Sequence, residues 1–114
     1  MRIISGNFKG KKLFLPSNKL TRPLKDLVKE SIFNLIQHSK KIDLIVQNSS
    51  VLDLFSGSGS FGIECISRGA KKVIFFENYS EAIKILEKNL NLLKNINTYE
   101  IYKKNFFDFF SSNK

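Results

Sequence analysis

The chain has 114 residues, of which 42% are hydrophobic and eleven are phenylalanine, and its formal net charge is +9. This length allows one small domain, and the apolar side chains suffice for a core, which excludes a wholly disordered basic tail. The chain has one cysteine, Cys65, and one histidine, His38, which cannot form an internal disulfide or a structural zinc site. No apolar run marks a secretion signal or a membrane span. We therefore expect a metal-free cytoplasmic protein.

The positive charge lies mainly in the N-terminal third. Residues 1–41 carry ten basic and two acidic side chains, whereas residues 42–82 carry three basic and five acidic ones. This asymmetry is typical of a protein that grips a polyanion with one part and holds a small non-anionic ligand with another. A lysine-rich surface is also common without any nucleic-acid partner, so charge alone leaves both interpretations open.

Two elements are predicted before residue 40. Residues 2–15 read as a β-hairpin with a basic, glycine-containing turn, closed by Pro16. Leu24–Gln37 reads as a helix with one apolar stripe facing a core, and Lys29 falls off that stripe. The stripe consists of Leu24, Leu27, Val28, Ile32, Leu35 and Ile36. Residues 39–50 read as a mainly polar linker.

A regular alternation follows residue 50. The predicted strands are 51–55, 72–76 and 98–103, and the predicted helices are 63–68 and 80–93, the second capped by Ser80. This β-α-β-α-β order predicts an α/β protein with a parallel sheet and right-handed crossovers, the first half of a Rossmann-like sheet. We therefore divide the chain into a basic hairpin extension, 1–20, and an incomplete Rossmann-like domain, 21–114.

The loop after the first strand carries a glycine motif. Residues Gly57 to Gly62 match G-x-G-x-x-G between a strand and a helix, and Glu77 lies 20 residues beyond Gly57. Glycines of this kind let a ligand approach the backbone, and a carboxylate at that distance is placed to bind ribose hydroxyls. Together they predict a nucleoside site.

Asp53, just before this loop, discriminates between nucleosides. A dinucleotide would bring a doubly charged pyrophosphate to the loop, and a nearby carboxylate would repel it. A sulfonium nucleoside with an amino-acid tail brings positive charge instead. Asp53 therefore favours S-adenosylmethionine over NAD, while a turn carboxylate that accepts loop N–H groups is the structural alternative.

The residues then resemble a known family. Residues 51–59, V-L-D-L-F-S-G-S-G, resemble the V-L-D-L-F-A-G-S-G motif of class I S-adenosylmethionine-dependent methyltransferases. Residues 1–13 and 22–34 are similar to the N-terminal motifs of the bacterial family that methylates a guanine N2 in 16S ribosomal RNA, the small-subunit rRNA. Leu24 and Leu27 depart from the threonine and arginine that this family favours there.

The resemblance implies the following roles. The methionine part of S-adenosylmethionine would be held by Asp53 and by the backbone of Ser56, Gly57, Ser58 and Gly59. The ribose would be bound by Glu77, and the adenine by Asn105 and Phe106. Asn105 stands where the family usually has aspartate, and a turn asparagine is the alternative. The bases that would contact phosphates of ribosomal RNA, or of a small-subunit ribosomal particle, are Lys9, Lys11, Lys12, Arg22 and Lys25.

The family's acceptor motif, N/D-P-P-Y/F, is missing from these 114 residues, whose prolines are Pro16 and Pro23. We therefore expect a donor site without catalytic residues, and, because the strand at 51–55 would lack a neighbour on one edge, a marginally folded chain. The phenylalanines at 106–110 are expected to be ordinary core. A non-enzymatic RNA-binding remnant, an NAD-dependent oxidoreductase fragment and a methyltransferase acting on DNA or protein remain the alternatives.

Overall fold

The computed structural model describes residues 1–15, 26–38, 45–54, 56–94 and 96–112. In these ranges the elements, in chain order, are α1 (Asp26–His38), β1 (Ser50–Asp53), α2 (Ser60–Ser67), β2 (Lys72–Phe76), α3 (Ser80–Asn91), β3 (Tyr99–Tyr102) and α4 (Phe106–Ser112). The predicted helix start at Leu24, the first half of the predicted linker and Phe55 lie outside the described residues. No helix within the described ranges is both long and apolar enough to cross a membrane.

The three strands form a parallel sheet in the order β1-β2-β3. Asp53 of β1 lies beside Phe75 of β2, and Phe75 lies beside Ile101 of β3. Val73 and Phe75 of the middle strand are buried. The predicted α/β class and parallel sheet are confirmed. Because the strands are parallel, their carboxyl ends lie at one edge of the sheet, where such folds bind ligands.

Helix α3 packs on the core through the predicted apolar positions. Buried side chains recur at three- and four-residue spacing, as an amphipathic helix requires; within the helix they are Ala82, Ile83, Leu86 and Leu90, and Leu93, just beyond its end, is buried too. The predicted capping role of Ser80 is wrong, because Tyr79 occupies the cap position and no side chain caps the helix.

The N-terminal segment reverses direction as predicted, but through an isolated antiparallel bridge between Arg2 and Lys12 rather than through two regular strands. The Ile3 N–H donates to the Lys11 carbonyl at 2.9 Å. Ile3 and Leu13 are buried in the same core cluster as the sheet and its helices. The domain division at residue 20 falls outside the described residues and stays a prediction.

The predicted buried stripe of α1 is correct only in part: Ile36 is half-buried against the core, but two other members of the stripe are exposed and two residues outside it are buried. Val28 and Leu35 are 45% and 58% exposed, whereas Lys29 and Phe33 are completely buried. Phe33 stacks on Phe61 of α2 with ring centroids 5.0 Å apart. The helix is thus rotated so that one aromatic residue and one lysine face the core.

Lys29 can be buried because Glu64, in the middle of α2, carries the opposite charge. The Lys29 Nζ lies 3.3 Å from Glu64 Oε1, and the Arg68 Nε lies 2.8 Å from Glu64 Oε2. The N–H groups of Ile4 and Ser5 donate to the same carboxylate at 2.9 and 3.0 Å. Buried charges persist when they are paired and hydrogen-bonded. This cluster holds the N-terminal segment, α1 and α2 together.

Helix α4 was not predicted. Phe106 and Phe109 pack edge-on against Phe76 of β2, each with ring centroids 5.3 Å apart. Phe107 and Phe110 are exposed. The expectation that all these phenylalanines belong to the core is therefore wrong for these two, which lie on the outer side of the helix.

Candidate functional site

Three of the predicted site residues lie at, or shortly after, the carboxyl ends of neighbouring strands. Asp53 ends β1, Glu77 comes directly after β2, and Asn105 comes between β3 and α4. The strand pairing brings their backbones to one edge of the sheet. The three residues to which the resemblance assigns cofactor contacts therefore lie at the same sheet edge, and their roles stay predictions.

The glycine loop between β1 and α2 needs glycine at two positions for different reasons. Gly57 and Gly59 both have left-handed backbone conformations, with φ of 54° and 85°, which side chains disfavour. A Cβ atom on Gly59 would lie 2.3 Å from Leu86 Cδ1, whereas one on Gly57 would meet nothing within 4 Å. Gly59 is therefore required for packing, and Gly57 borders open space that a ligand can approach.

Glu77 is bonded to this loop. Its Oε1 accepts from the Gly57 N–H at 2.8 Å, and its Oε2 accepts from the N–H groups of Asn78 and Tyr79 at 3.2 and 3.0 Å. A carboxylate has about four acceptor positions, so these three bonds orient Glu77 and still leave it able to accept from a hydroxyl.

Asp53 lies closer to the start of α2. Its Oδ2 accepts from the Gly62 N–H at 3.2 Å. Burial raises the pKa of Asp53 to about 6; the Gly62 hydrogen bond opposes this shift, and the negative charge of Glu77 adds to it. Any Cβ atom on Gly62 would lie 3.1 Å from this carboxylate oxygen. A cation nearby would stabilise the ionised form of Asp53.

Glu77 and Asn105 line one small pocket that opens to solvent. Its lining residues are Leu54, Phe76, Glu77, Asn78, Lys104 and Asn105. The Asn105 Oδ1 accepts from the Phe107 N–H at 2.8 Å, so Asn105 also starts α4. Phe106 touches the wall of the pocket at Phe76, whereas Asp53 is not among the lining residues.

Two hydrogen bonds of the loop, one of them fully buried, escaped sequence reasoning. The carbonyl of the buried Ser58 accepts from Asn89 Nδ2 at 2.9 Å, and the Ser56 hydroxyl donates to the Asp53 carbonyl at 2.8 Å. Asn89 lies on the apolar face of α3 between Leu86 and Leu90. A polar residue at such a position indicates a buried hydrogen-bonding partner, and that signal was present in the sequence.

The predicted RNA-facing bases are placed in part. Lys9, Lys11 and Lys12 are exposed on the N-terminal segment, where they are available for contacts with phosphates. Arg22 and Lys25 lie outside the described residues, so their roles stay predictions.

The chain has an α/β fold of the class I methyltransferase type. The Escherichia coli protein yhhF, described as a methyltransferase, matches with a TM-score of 0.78 and 31% identity over 96% of this chain and 55% of its own. A Haemophilus influenzae protein described as a methylase matches with a TM-score of 0.67 and 36% identity over 95% of this chain and 53% of its own.

The family model described as "Conserved hypothetical protein 95" matches residues 1–114, and the chain belongs to this family. "Ribosomal RNA small subunit methyltransferase D" of Haemophilus influenzae is 42% identical over 94 residues, which are 82% of this chain and 46% of that protein. The Escherichia coli protein of the same name is 35% identical, over 82% of this chain and 44% of its own length. The chain thus spans about half the length of these curated relatives.

Proposed function

We propose that this chain is the cofactor-binding and RNA-binding part of an S-adenosylmethionine-dependent methyltransferase that acts on a guanine N2 of 16S ribosomal RNA. The names of the curated relatives support rRNA as the substrate class. The observation that carries the cofactor assignment is the pair of carboxylates beside the glycine loop, Asp53 and Glu77, each bonded to a loop or helix N–H.

The residues present fit this cofactor. S-adenosylmethionine supplies a methyl group on a positively charged sulfur. Burial makes the ionised form of Asp53 costly, and the positive charges of the methionine part would stabilise that form. The open space beside Gly57 leaves room for the methionine part to approach the backbone. A pyrophosphate in the same place would face the carboxylate of Asp53, which disfavours NAD.

Glu77 accepts hydrogen bonds from the ribose hydroxyls in this proposal. Asn105 accepts from the adenine amino group, because its Oδ1 keeps a second lone pair after bonding to the N–H of Phe107. Phe106 packs beside the adenine ring. The phosphates of the RNA are bound by Lys9, Lys11, Lys12, Arg22 and Lys25. Contacts of this kind position the substrate without reading its bases.

Residues 1–114 contain no N/D-P-P-Y/F motif, the acceptor motif of the family that the sequence resembles. We therefore assign this chain the donor site and name no catalytic residue. Methyl transfer depends on in-line positioning of donor and acceptor, so these residues alone bind S-adenosylmethionine without transferring its methyl group to RNA.

Calorimetric titration with S-adenosylhomocysteine and with NADH tests the cofactor. We expect binding of the first and none of the second. Replacing Glu77→Ala should weaken binding by about tenfold or more, as the loss of bonds to a charged group implies. The matched control Glu81→Ala removes an exposed carboxylate from the first turn of α3 and should change nothing. Equal or tighter binding of NADH would contradict the assignment.

A further inference from the structure

Phe14 is an exposed aromatic residue on a fixed backbone. Its side chain is 48% exposed. Its N–H donates to Asn89 Oδ1 at 2.6 Å, and its carbonyl accepts from Asn89 Nδ2 at 3.2 Å. Because Asn89 is completely buried, the exposure of the ring does not come from a loose chain end.

The same amide places Phe14 next to the candidate cofactor site. Asn89 Nδ2 also donates to the Ser58 carbonyl in the glycine loop at 2.9 Å. One buried side chain therefore joins the backbone under the Phe14 ring to the loop proposed to hold the cofactor.

The surroundings of the ring are cationic. The Lys88 Nζ lies 5.5 Å from the Phe14 ring centroid, within the range of cation–π attraction. Lys11 and Lys12 are exposed and stand three and two residues before Phe14, respectively. Exposed aromatic rings flanked by cations bind single-stranded nucleic acid, because bases stack on the ring while phosphates meet the positive charges.

We propose that Phe14 is a stacking platform for an unpaired base of the RNA substrate, which lies on the ring face opposite Lys88 while Lys88 contacts an adjacent phosphate. The proposal rests on the proposed function, since its occupant is the RNA of that function. It adds a contact to a base where the hairpin lysines contact only phosphates. Stacking of this kind tolerates any base, because every base has a π-face.

The test uses two labelled single-stranded RNA probes of equal length, one intact and one with its bases removed at internal positions. Both carry the same phosphates, so their affinity ratio, measured by fluorescence anisotropy, isolates base contacts. In Phe14→Leu this ratio should fall by roughly 5- to 150-fold, the loss that corresponds to one aromatic stacking contact. Phe14→Tyr keeps the ring and should keep the ratio.

Phe107→Leu is the matched control, because it removes a ring of similar exposure (61%) from α4 and should leave the ratio unchanged. An unchanged ratio in Phe14→Leu, or equal binding of both probes by the unaltered chain, would overturn the platform. Binding of duplex RNA as tightly as the intact single strand would overturn it too. Titrations of the same samples with S-adenosylhomocysteine separate the two proposals. If neither the unaltered chain nor any variant binds S-adenosylhomocysteine, the proposed function is refuted. The affinity ratio of the two RNA probes still decides the role of Phe14.

Discussion

The buried carboxylate of Glu64 gives the sharpest prediction about stability. Glu64→Gln keeps the size of the side chain but removes its charge. The carboxylate has two cationic partners, Lys29 and Arg68, and two N–H partners, Ile4 and Ser5. In the glutamine side chain an NH₂ group, which is a donor, replaces one carboxylate oxygen. In either orientation this NH₂ group lies against one of the two cations and one of the two backbone N–H groups. Those two donors then lose their acceptor.

The expected cost follows from burial. Lys29 and Glu64 are both 0% exposed, and removing one partner of a buried ion pair costs about 3–5 kcal/mol because the other charge stays uncompensated. Small domains have unfolding free energies of about 5–15 kcal/mol. The substitution should therefore remove a large part of the stability of this chain.

Urea unfolding followed by far-ultraviolet circular dichroism measures this loss. Lys29→Met should cost less than Glu64→Gln, because Arg68 and the two N–H groups still satisfy the carboxylate. The double variant should be more stable than the sum of the single effects predicts, by about 1 kcal/mol or more, since the two residues are in contact. The exposed pair between Glu87 and Lys103 provides a control.

Glu87→Gln should change the unfolding free energy by less than about 0.5 kcal/mol. If Glu64→Gln proves as mild as this exposed control, the cluster does not hold the fold together and the reasoning fails.

Three further predictions concern the candidate site and its surroundings. The pKa of Asp53 is about 6, and a cationic ligand requires the ionised carboxylate. Affinity for S-adenosylmethionine, measured by calorimetry, should therefore fall about tenfold from about pH 7 to about pH 5. The Asp53→Asn variant should show no such fall. Gly59→Ala should destabilise the chain by about 1–3 kcal/mol and more than Gly57→Ala does, because both substitutions strain a left-handed backbone but only the first meets Leu86. Gly57→Ala should in addition weaken cofactor binding, and thermal melts paired with titrations would contradict this if the two variants behaved alike. Burial raises the pKa of Cys65 to about 12, so its thiol should react with iodoacetamide near neutral pH only after unfolding, and rapid labelling of the folded chain, detected by mass spectrometry, would be the opposite result.

The parts predicted correctly from the sequence depend on local patterns. The alternation of strands and helices after residue 50 follows from apolar spacing, and β2 was predicted with the bounds that the structure has. The glycine loop was recognised because its backbone conformation requires glycine at Gly57 and Gly59. The placement of Asp53 and Glu77 at one sheet edge follows from the parallel order alone, because parallel strands end on the same side.

The orientation of α1 could not be read from its own residues. Leu35 looks like a core residue and Lys29 like a surface residue, yet the structure exposes the first and buries the second. Each apolar side chain on the helix could in principle face the core. The choice depends on Glu64 and Phe61, which lie in another helix about thirty residues further along the chain.

The sequence by itself therefore determined the α/β class, the order of the elements and the loop that the candidate cofactor site is built on, because these depend on spacing and backbone conformation within short segments. Tertiary structure alone decided which charges are buried, where α4 packs, and that Asn89 ties Phe14 to the glycine loop. The physical reason is that pairing and burial energies depend on distances in space between groups that are far apart in the chain.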